Sequence, residues 1–503
     1  MHGIRFVSRF YSRMLSFRRA IWRGKMLESI PNTVIRDNIY GARLVNTDKY
    51  IRNIIDSIEF QRLRQIRQTG IASYVFPTAE HSRFAHSIGV FATACKVFDH
   101  LRERSIDLLI DIPILSFDED TKREFLAACL CHDVGHTAFS HVLESSFLPD
   151  NLSTHEECTK LILRENTEIS KKIRDYTDID AVEYFLDRKH VNKALTSMVS
   201  GPFDVDRCDY MLRDSHMTGV VSGNFDFQWL LHSISPEINQ LGLPVLTLDG
   251  VRGTDALRQF FLSRRYLYRH IYFHPAVRSG QILLKSIFER LRDIGGTSKS
   301  RSMIPRLFYP ILDRKNFTLG EFLRISDVEV LYLIRLCAEE HPDATLKHLA
   351  KMFIERKFPK CVLDSGKLFD RNNIVSRFFE TDILKSDQIT MFGDDEPNVN
   401  NLVEDLKDFL RPKLVSYGIS AEVVDYIVSS DKVTFSSSPP SDLMFSYKGK
   451  IFGYDTLPKD HDGRNMAPAL DSFSLWRVFV PWQFKRECTE RMETRYPTLS
   501  IGG

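Results

Sequence analysis

The segment 131–141 of this chain holds three histidines, one aspartate and one serine, and two of these residues, His132 and Asp133, are adjacent. Neighbouring side chains on a helix point about 100° apart, so an adjacent His-Asp pair rarely packs against one face. Both side chains can reach one point where a helix ends, and the usual such point is a metal ion. Imidazole and carboxylate together favour Zn, Fe, Mn, Ni or Mg over Ca. The alternative is a helix end with a capping aspartate and incidental histidines.

Two other segments can supply the further ligands that a metal ion needs. His86 begins an apolar helical pattern, where an unpaired buried imidazole would be costly. The segment 203–216 carries four aspartates and two arginines among apolar residues, and taken alone it is also typical of a solvated helix face. Taken together, the segments predict a set of two imidazoles and two carboxylates from His86, His132, Asp133 and Asp206.

Helical periodicity surrounds these candidate ligands and predicts a mainly α fold. The apolar residues 125–131 predict a buried helix that carries His132 and Asp133 into the interior. Further helices are predicted within 50–68, 84–101 and 255–291, and one or two short strands within 241–248. The expected architecture of this part is a helical bundle with little sheet.

After a linker rich in Gly, Ser, Thr and Lys at 295–302, the chain mixes helices with strands. Helices are predicted at 319–336 and 344–356, and strands at 443–447, 451–454 and 476–480. We find no chemical motif here. The sequence therefore predicts three regions: a basic extension at 1–27, a helical domain at 28–295 that carries the candidate ligands, and a smaller α+β region at 303–503 that packs on it or builds an oligomer interface.

The bulk composition is that of an ordinary globular protein, with 43% hydrophobic and 27% charged residues. The 503 residues are enough for two or three domains. A net charge of +2 does not indicate a nucleic-acid partner, although local basic clusters leave one open. None of the eight cysteines forms a CxxC pair, which indicates reduced core residues in a cytosol-like compartment.

The first 27 residues carry seven arginines and lysines, with no acidic residue before Glu28. Apolar residues interleave with them but form no continuous run, so neither a secretory signal nor a transmembrane helix is predicted. Three interpretations remain open: a mitochondrial presequence, an amphipathic helix on a membrane surface, or an extension that binds a partner or is disordered. The cytoplasm is the expected compartment, with the mitochondrion as the alternative.

The ordered motifs Arg-Phe-Ala-His-Ser at 83–87 and His-Asp-Val-Gly-His-Thr-Ala-Phe-Ser-His at 132–141, followed by Asp206, resemble those of the HD-domain phosphohydrolases. Within that family the chain is similar to the deoxynucleoside triphosphate triphosphohydrolases and their bacterial relatives. The resemblance covers residues 33–295 and weakens after them. It implies a divalent metal ion held by His86, His132, Asp133 and Asp206.

The resemblance also implies catalytic roles beside the metal. It assigns phosphate contacts and proton handling to His136, His141 and His155. Glu144 lies three residues after His141, so on one helix face it can orient that imidazole or raise its pKa, as a general acid requires. A helix acid that faces solvent is the alternative for Glu144.

For the substrate, the resemblance assigns phosphate and sugar contacts to Gln68, Arg83, Arg207, Tyr210, Asp214, Arg264 and Tyr272. A Tyr272 ring under the deoxyribose would disfavour a 2′-hydroxyl, which loses water without gaining a partner. The competing interpretation is an amphipathic helix whose tyrosines reach solvent. Thr69 stands where the vertebrate enzymes have leucine, so discrimination against ribonucleotides is expected to be looser or to come from other residues.

The implied reaction is metal-dependent hydrolysis of a deoxynucleoside triphosphate to deoxynucleoside and intact triphosphate. Mg²⁺ is expected to accompany the nucleotide, and a homo-oligomer is expected by the same resemblance. The alternatives are an HD-type phosphodiesterase or single-strand nuclease acting through the same metal, and a nucleotide sensor without catalysis.

Overall fold

The computed structural model of the chain describes residues 33–39, 43–107, 117–144, 148, 154–239, 244–295, 301–313, 318–365, 396–436, 443–458 and 472–496. The basic extension predicted at 1–27 and most of the linker at 295–302 lie outside these residues. Within the described ranges, no helix is both long and apolar enough to cross a membrane.

The described chain is mainly helical, as predicted. The helices of its first half are α1 (Lys49–Ile55), α2 (Ile58–Gln61), α3 (Arg83–Asp107), α4 (Glu119–Cys131), α5 (His155–Arg164), α6 (Glu168–Tyr176), α7 (Ile179–Leu186), α8 (Lys193–Val199), α9 (Val205–Thr218), α10 (Phe227–His232), α11 (Arg252–Leu267) and α12 (Pro275–Ile294). Those that follow are α13 (Tyr309–Leu312), α14 (Leu319–Leu323), α15 (Asp327–Glu339), α16 (Ala344–Ile354), α17 (Glu396–Ser416), α18 (Val423–Ile427) and α19 (Lys485–Arg495).

Three small sheets accompany the helices. Their strands are β1 (Thr33–Asp37), β2 (Arg43–Thr47), β3 (Ile234–Ile238), β4 (Pro244–Asp249), β5 (Lys360–Asp364), β6 (Ser429–Phe435), β7 (Met444–Tyr447), β8 (Lys450–Gly453) and β9 (Phe473–Val480). β1 pairs with β2, and β5, β9 and β6 form an antiparallel sheet in that order. In the third sheet β4 pairs in parallel with β7, so strands from the two halves of the chain share one sheet.

The helices that carry the candidate ligands have clear local signals. α4 begins where Asp118 accepts a hydrogen bond from the backbone N–H of Thr121, and every residue from Phe125 to Cys131 is buried. α9 begins at the capping Asp204 and ends at Gly219, whose φ of 77° suits glycine. The predicted buried helix before His132 is thus confirmed, and His132 is the residue at its end.

Several predicted helices are shorter than their apolar patterns. The pattern at 50–68 is divided among α1, α2 and a 3₁₀ turn. The pattern at 255–291 is interrupted by a π-helical turn at Tyr268–Tyr272 and by Pro275 at the start of α12. The pattern at 319–336 is divided into α14 and α15. The strands predicted near 443–454 and 476–480 are confirmed as β7, β8 and β9.

Candidate active site

The four predicted metal ligands meet where α3, the end of α4 and the start of α9 come together. The Nε2 atom of His86 lies 3.0 Å from Asp206 Oδ1 and 3.7 Å from Asp133 Oδ2. The Nε2 atom of His132 lies 3.3 Å from Asp133 Oδ1 and 3.6 Å from Asp206 Oδ1. Ligands held about 2.1 Å from one ion are about 3.0–3.4 Å apart. The ligand atoms of His86, His132 and Asp133 all lie within 4.8 Å of one another, and Asp206 Oδ1 lies 3.0 and 3.6 Å from the two imidazole nitrogens, so the four side chains surround one candidate position for a divalent ion.

The hydrogen bonds of the two imidazoles support this assignment. His86 donates from Nδ1 to Asp209 at 2.8 Å, and His132 donates from Nδ1 to the Cys129 carbonyl at 2.9 Å. Among the described residues, the buried Nε2 atoms of both rings have no hydrogen-bond partner. Buried nitrogens normally have a partner, and ligating imidazoles characteristically donate their other N–H. Two Nε2 lone pairs that face two carboxylates fit a metal ion.

The electrostatics of the same group favour positive charge at its centre. Burial alone would lower the pKa of His86, but the Asp206 and Asp209 carboxylates outweigh it and raise that pKa to about 10. Burial opposes ionisation of Asp133, yet Arg83 and the neighbouring histidines hold its pKa well below its usual range. The ionised carboxylates therefore stabilise positive charge at the imidazole nitrogens, which a metal ion can supply in place of protons.

Asp209 is a functional candidate that the sequence did not single out. It lies one turn after Asp206 on α9, is fully buried, and also accepts hydrogen bonds from Arg213 at 2.8 and 3.0 Å. A Cβ atom at Gly89 would lie 2.0 Å from Asp209 Oδ1, so glycine at that position lets α3 approach α9. The signal available in the sequence was the i, i+3 spacing of the two aspartates on one helix face.

We expect Asp209→Asn to weaken divalent metal binding by about 10–100-fold, because the neutral amide lacks the negative charge that raises the basicity of the His86 ring and can also turn its NH2 group toward Nδ1, which favours the wrong tautomer. Calorimetric titration of the metal-free protein measures this change. Asp255→Asn is the matched control, since Asp255 is exposed and pairs only with Arg258 among its described contacts. Unchanged affinity in Asp209→Asn would show that Asp209 does not support the metal.

A second cluster lies directly beside the first. Glu144 Oε1 accepts hydrogen bonds from His155 Nδ1 at 2.8 Å and His141 Nδ1 at 3.0 Å, and lies 3.8 Å from His136 Nδ1. His136 Nε2 lies 3.2 Å from Asp133 Oδ1, which links the two clusters. The predicted contact between His141 and Glu144 is present, although the local helix is a 3₁₀ turn at 140–142.

The second cluster suits protons and phosphate oxygens better than an ion. The rings of His136 and His155 are stacked, with centroids 3.7 Å apart and planes 18° apart. One ion cannot lie in the planes of two rings stacked in this way. Burial, Arg83 and His155 lower the pKa of His136, so that imidazole is neutral. Burial opposes ionisation of Glu144, but His141 and His155 hold its pKa well below the usual range.

The loop between the two clusters is held against α5. A Cβ atom at Gly135 would lie 2.2 Å from the backbone nitrogen of Thr159, so only glycine permits this approach. The Thr159 hydroxyl donates to the His132 carbonyl and accepts from the Gly135 N–H, each at 3.0 Å. Because His155 is the first residue of α5, these contacts place it beside His136.

The two arginines predicted to contact phosphate are engaged within the protein. Arg83 is buried, and its guanidinium donates to Asp133 at 2.5 Å and to the Ser140 hydroxyl at 2.8 Å. Arg207 donates to Asp204 at 2.7 Å and to the Gly201 carbonyl. Arg207 remains partly exposed, whereas Arg83 primarily orients a candidate metal ligand.

The predicted sugar-binding residues include a tightly connected group. Asp214 accepts hydrogen bonds from Tyr272 at 2.5 Å and from His81 at 2.7 Å. Tyr210 lies edge-on to Tyr272, with ring centroids 6.4 Å apart. His81, which the sequence did not single out, has no distinctive spacing from Asp214, 133 residues later.

Two further predicted substrate residues carry unsatisfied polar atoms. Within the described part of the chain, the buried Gln68 Oε1 and Arg264 Nε have no hydrogen-bond partner. The Arg264 guanidinium lies 5.2 Å from the ring centres of both Tyr268 and Phe435. Unsatisfied buried polar atoms are rare in folded proteins, so both are suited to contact a ligand.

The comparisons with known proteins agree with this geometry. The HD domain family matches residues 83–211, which include all four candidate metal ligands. The uncharacterized protein YwfO of Bacillus subtilis is 32% identical over 335 residues, which are 66% of this chain and 71% of that protein. The chain belongs to the HD-domain phosphohydrolase family. The enzyme is therefore a metal-dependent phosphohydrolase.

Other relatives of this HD phosphohydrolase carry a more specific name. The deoxynucleoside triphosphate triphosphohydrolase SAMHD1 homolog of Dictyostelium discoideum is 30% identical over 268 residues, which are 51% of this chain and 48% of that protein. The Xenopus laevis SAMHD1 is 30% identical over 285 residues. The chain spans less than half of either relative. A phosphohydrolase structure from Bacteroides thetaiotaomicron shares the fold, with a TM-score of 0.67 over 89% of this chain and 99% of that chain, at 22% identity.

Proposed function

We propose that this HD phosphohydrolase hydrolyses deoxynucleoside triphosphates to deoxynucleoside and triphosphate. The observation that carries the proposal is the pair of linked clusters, in which His136 touches the candidate metal ligand Asp133 and stacks on His155. The names of the relatives from Dictyostelium and Xenopus support a nucleoside triphosphate as the substrate. The hydrogen-bonded group around Asp214 supports a sugar at the same site.

His86, His132, Asp133 and Asp206 would hold the ion. A bound divalent ion supplies Lewis acidity, polarising a phosphoryl oxygen and lowering the pKa of a coordinated water. The chain's own contribution is to orient these ligands: Asp209 fixes His86, the Cys129 carbonyl fixes His132, and Arg83 fixes Asp133. Fe, Mn, Zn, Ni and Mg all remain candidates for the ion, and Mg²⁺ would accompany the nucleotide.

His136 and His155 would contact the phosphates, with Arg207 at the partly exposed side. His141 would donate a proton to the departing 5′-oxygen, because a positioned imidazole is the side chain that most often serves as a general acid. Glu144 supports that role by accepting the hydrogen bond of His141 Nδ1, which leaves Nε2 as the other protonation site. Attack of water on the α-phosphorus would form a new P–O bond as the bond to the 5′-oxygen breaks in line with it, which would release deoxynucleoside and intact triphosphate.

Gln68, Tyr210, Asp214, Arg264 and Tyr272 would form the nucleoside side of the site. Asp214 can accept a hydrogen bond from a sugar hydroxyl, since His81 and Tyr272 hold its carboxylate in place. The Tyr272 ring would lie under the deoxyribose.

We expect Tyr272→Ala to reduce the preference for dATP over ATP, measured as the ratio of kcat/KM values, by about tenfold or more, because a 2′-hydroxyl then meets water instead of a ring face. Tyr272→Phe is the control that keeps the ring: it should retain the preference while raising KM for both nucleotides, since Asp214 loses a donor. If Tyr272→Ala kept the wild-type ratio, Tyr272 would not determine sugar selection.

The proposed reaction is tested by product analysis. Metal-loaded protein is incubated with the four dNTPs, the four NTPs, cyclic nucleotides and single-stranded DNA, and the phosphate products are separated by ion-exchange chromatography. Triphosphate and deoxynucleoside from dNTPs are the expected products. Pyrophosphate or mononucleotide would contradict the proposal, and cleavage of cyclic nucleotides or DNA would favour the phosphodiesterase or nuclease alternative.

The regional assignments are also proposals. Residues 28–295 would form the catalytic domain, and 303–503 would support it or an oligomer interface. We predict a homo-oligomer, which light scattering coupled to gel filtration measures directly. None of the eight cysteines, all of which lie in the described residues, forms a disulfide, and this fits the cytoplasm, which stays our predicted compartment.

A further inference from the structure

We propose that Asp327, in the C-terminal region, is a positioning residue that holds the catalytic loop 136–141 in its working conformation. Its carboxylate accepts the backbone N–H of Phe139 at 2.7 Å through Oδ1 and the backbone N–H of Arg67 at 3.0 Å through Oδ2. Asp327 is 2% exposed and touches none of the candidate metal ligands in the described contacts. Apart from an ion pair with Arg67 at 3.8 Å, its described contacts are therefore hydrogen bonds to backbone N–H groups.

The segment that Asp327 contacts has an unfavourable backbone conformation at two successive residues. Phe139 and Ser140 both have φ of 55°, in the left-handed region that side chains larger than glycine rarely adopt. Two such residues in succession persist only where surrounding contacts determine them. The hydrogen bond from the Phe139 N–H to Asp327 is one of these contacts, and it comes from a residue 188 positions away in sequence.

A second contact from the same segment reaches the same loop. The Ile325 carbonyl accepts two hydrogen bonds from the buried Arg62 guanidinium, at 2.8 and 3.2 Å. Arg62 donates its remaining terminal nitrogen to the His136 carbonyl at 2.8 Å. Residues 325–327 thus hold the loop at both His136 and Phe139.

The loop transmits this placement to both clusters. The Ser140 hydroxyl accepts from Arg83 at 2.8 Å and donates to the Arg67 carbonyl at 2.8 Å. Arg83 in turn holds Asp133, and His141 directly follows Ser140. A shift of Phe139 would therefore move a candidate metal ligand and the proposed general acid together. The inference rests on the roles proposed for His136 and His141.

Keeping the buried Asp327 carboxylate ionised lowers the stability of the fold. Burial raises the pKa of Asp327 to about 6, above its unfolded value. Its contribution to stability is complete below the unfolded pKa and is lost as the pH rises through about 6. Asparagine is neutral at every pH and avoids this loss, so Asp327→Asn should keep a melting temperature at pH 8 close to that of the wild type. If the contact served only stability, Asp327→Asn would instead lower the melting temperature at pH 8.

The test compares Asp327→Asn with Asp431→Asn. Asparagine offers only one acceptor, so one of the two backbone N–H groups loses its partner. Asp431 is the matched control, because it also joins the C-terminal region to the helical bundle, accepting from Arg278 on α12 at 2.6 and 2.9 Å, without touching the loop. Amide hydrogen exchange of the peptide covering 136–142, kcat, KM and melting temperature are measured on metal-loaded full-length protein.

For Asp327→Asn we expect faster exchange in the loop, kcat lowered by about 10–100-fold and little change in KM, because small misplacements of catalytic groups have effects of this size. Asp431→Asn should lower the melting temperature and leave kcat and loop exchange unchanged. Unchanged loop exchange in Asp327→Asn, unchanged kcat despite faster exchange, or an equal loss of kcat in Asp431→Asn would each overturn the proposal. Failure of the proposed reaction would appear in the wild type, whereas the exchange measurement depends on no substrate.

Discussion

His132→Ala is expected to lower kcat on the best substrate by about 10³-fold or more and to remove the stoichiometric metal ion. Lewis-acid stabilisation contributes several kcal/mol, and each 1.36 kcal/mol corresponds to about a factor of ten. His132 is the most informative of the four ligands to replace. Its Nδ1 bonds only a backbone carbonyl, and its Nε2 faces the carboxylates of Asp133 and Asp206. Asp133 is less suitable, because its loss would also leave the buried Arg83 guanidinium unpaired.

The measurement is the metal content of dialysed protein by plasma mass spectrometry, taken beside turnover. His100→Ala is the matched control, since His100 lies on α3 with His86 and also bonds a backbone carbonyl, that of Ile234 at 3.1 Å, and forms no ion pair among its described contacts. His100→Ala should keep both the ion and the activity. If His132→Ala retained a full equivalent of metal and wild-type turnover, the proposed metal centre would be wrong.

The four candidate metal ligands could be selected from the sequence because each stands at a position that packing alone does not explain. His132 and Asp133 follow a run of seven buried residues at the end of α4, and His86 lies on the apolar side of α3. The types and the order of these residues were therefore enough to indicate a shared site. The contact between His141 and Glu144 was also predictable, because it depends on a spacing of three residues.

The supporting residues were not predictable, because their partners are remote in sequence. Asp209 reaches His86 across 123 residues, and His81 reaches Asp214 across 133. An aspartate in a polar segment looks the same whether it faces solvent or an imidazole. These contacts arise from the packing of one helix on another, which one sequence does not specify.

The sequence also misplaced several helix boundaries, and one misplaced boundary bears on the candidate active site. The apolar pattern at 319–336 predicts one helix, but Ser326 caps a new one, with its side chain accepting from the Val328 N–H. The Ser-x-x-Glu capping box therefore starts a new helix at this position, although the apolar periodicity continues through it. The break exposes the Ile325 carbonyl and places Asp327 at the catalytic loop.

His141→Ala is expected to lower kcat on a deoxynucleoside triphosphate by about 10²–10⁴-fold, the usual range for loss of a positioned proton donor. His141 is well suited to replacement, because 66% of its side chain is exposed and truncation leaves no cavity in the core. Glu144→Gln should lower kcat less, since the amide still accepts the hydrogen bond from His141 and keeps the ring oriented.

A change of leaving group separates proton donation from other roles of His141. An alkoxide needs a proton as it departs, whereas p-nitrophenolate leaves without one. His141→Ala should therefore lose most of its defect on a p-nitrophenyl phosphate ester that the wild type hydrolyses, while His132→Ala stays inactive on both substrates. His216→Ala replaces an exposed histidine near the end of α9 and should keep the wild-type kcat on both substrates. An equal defect of His141→Ala on both substrates would assign His141 to phosphate binding instead, because a residue that contacts phosphate is needed whichever group departs.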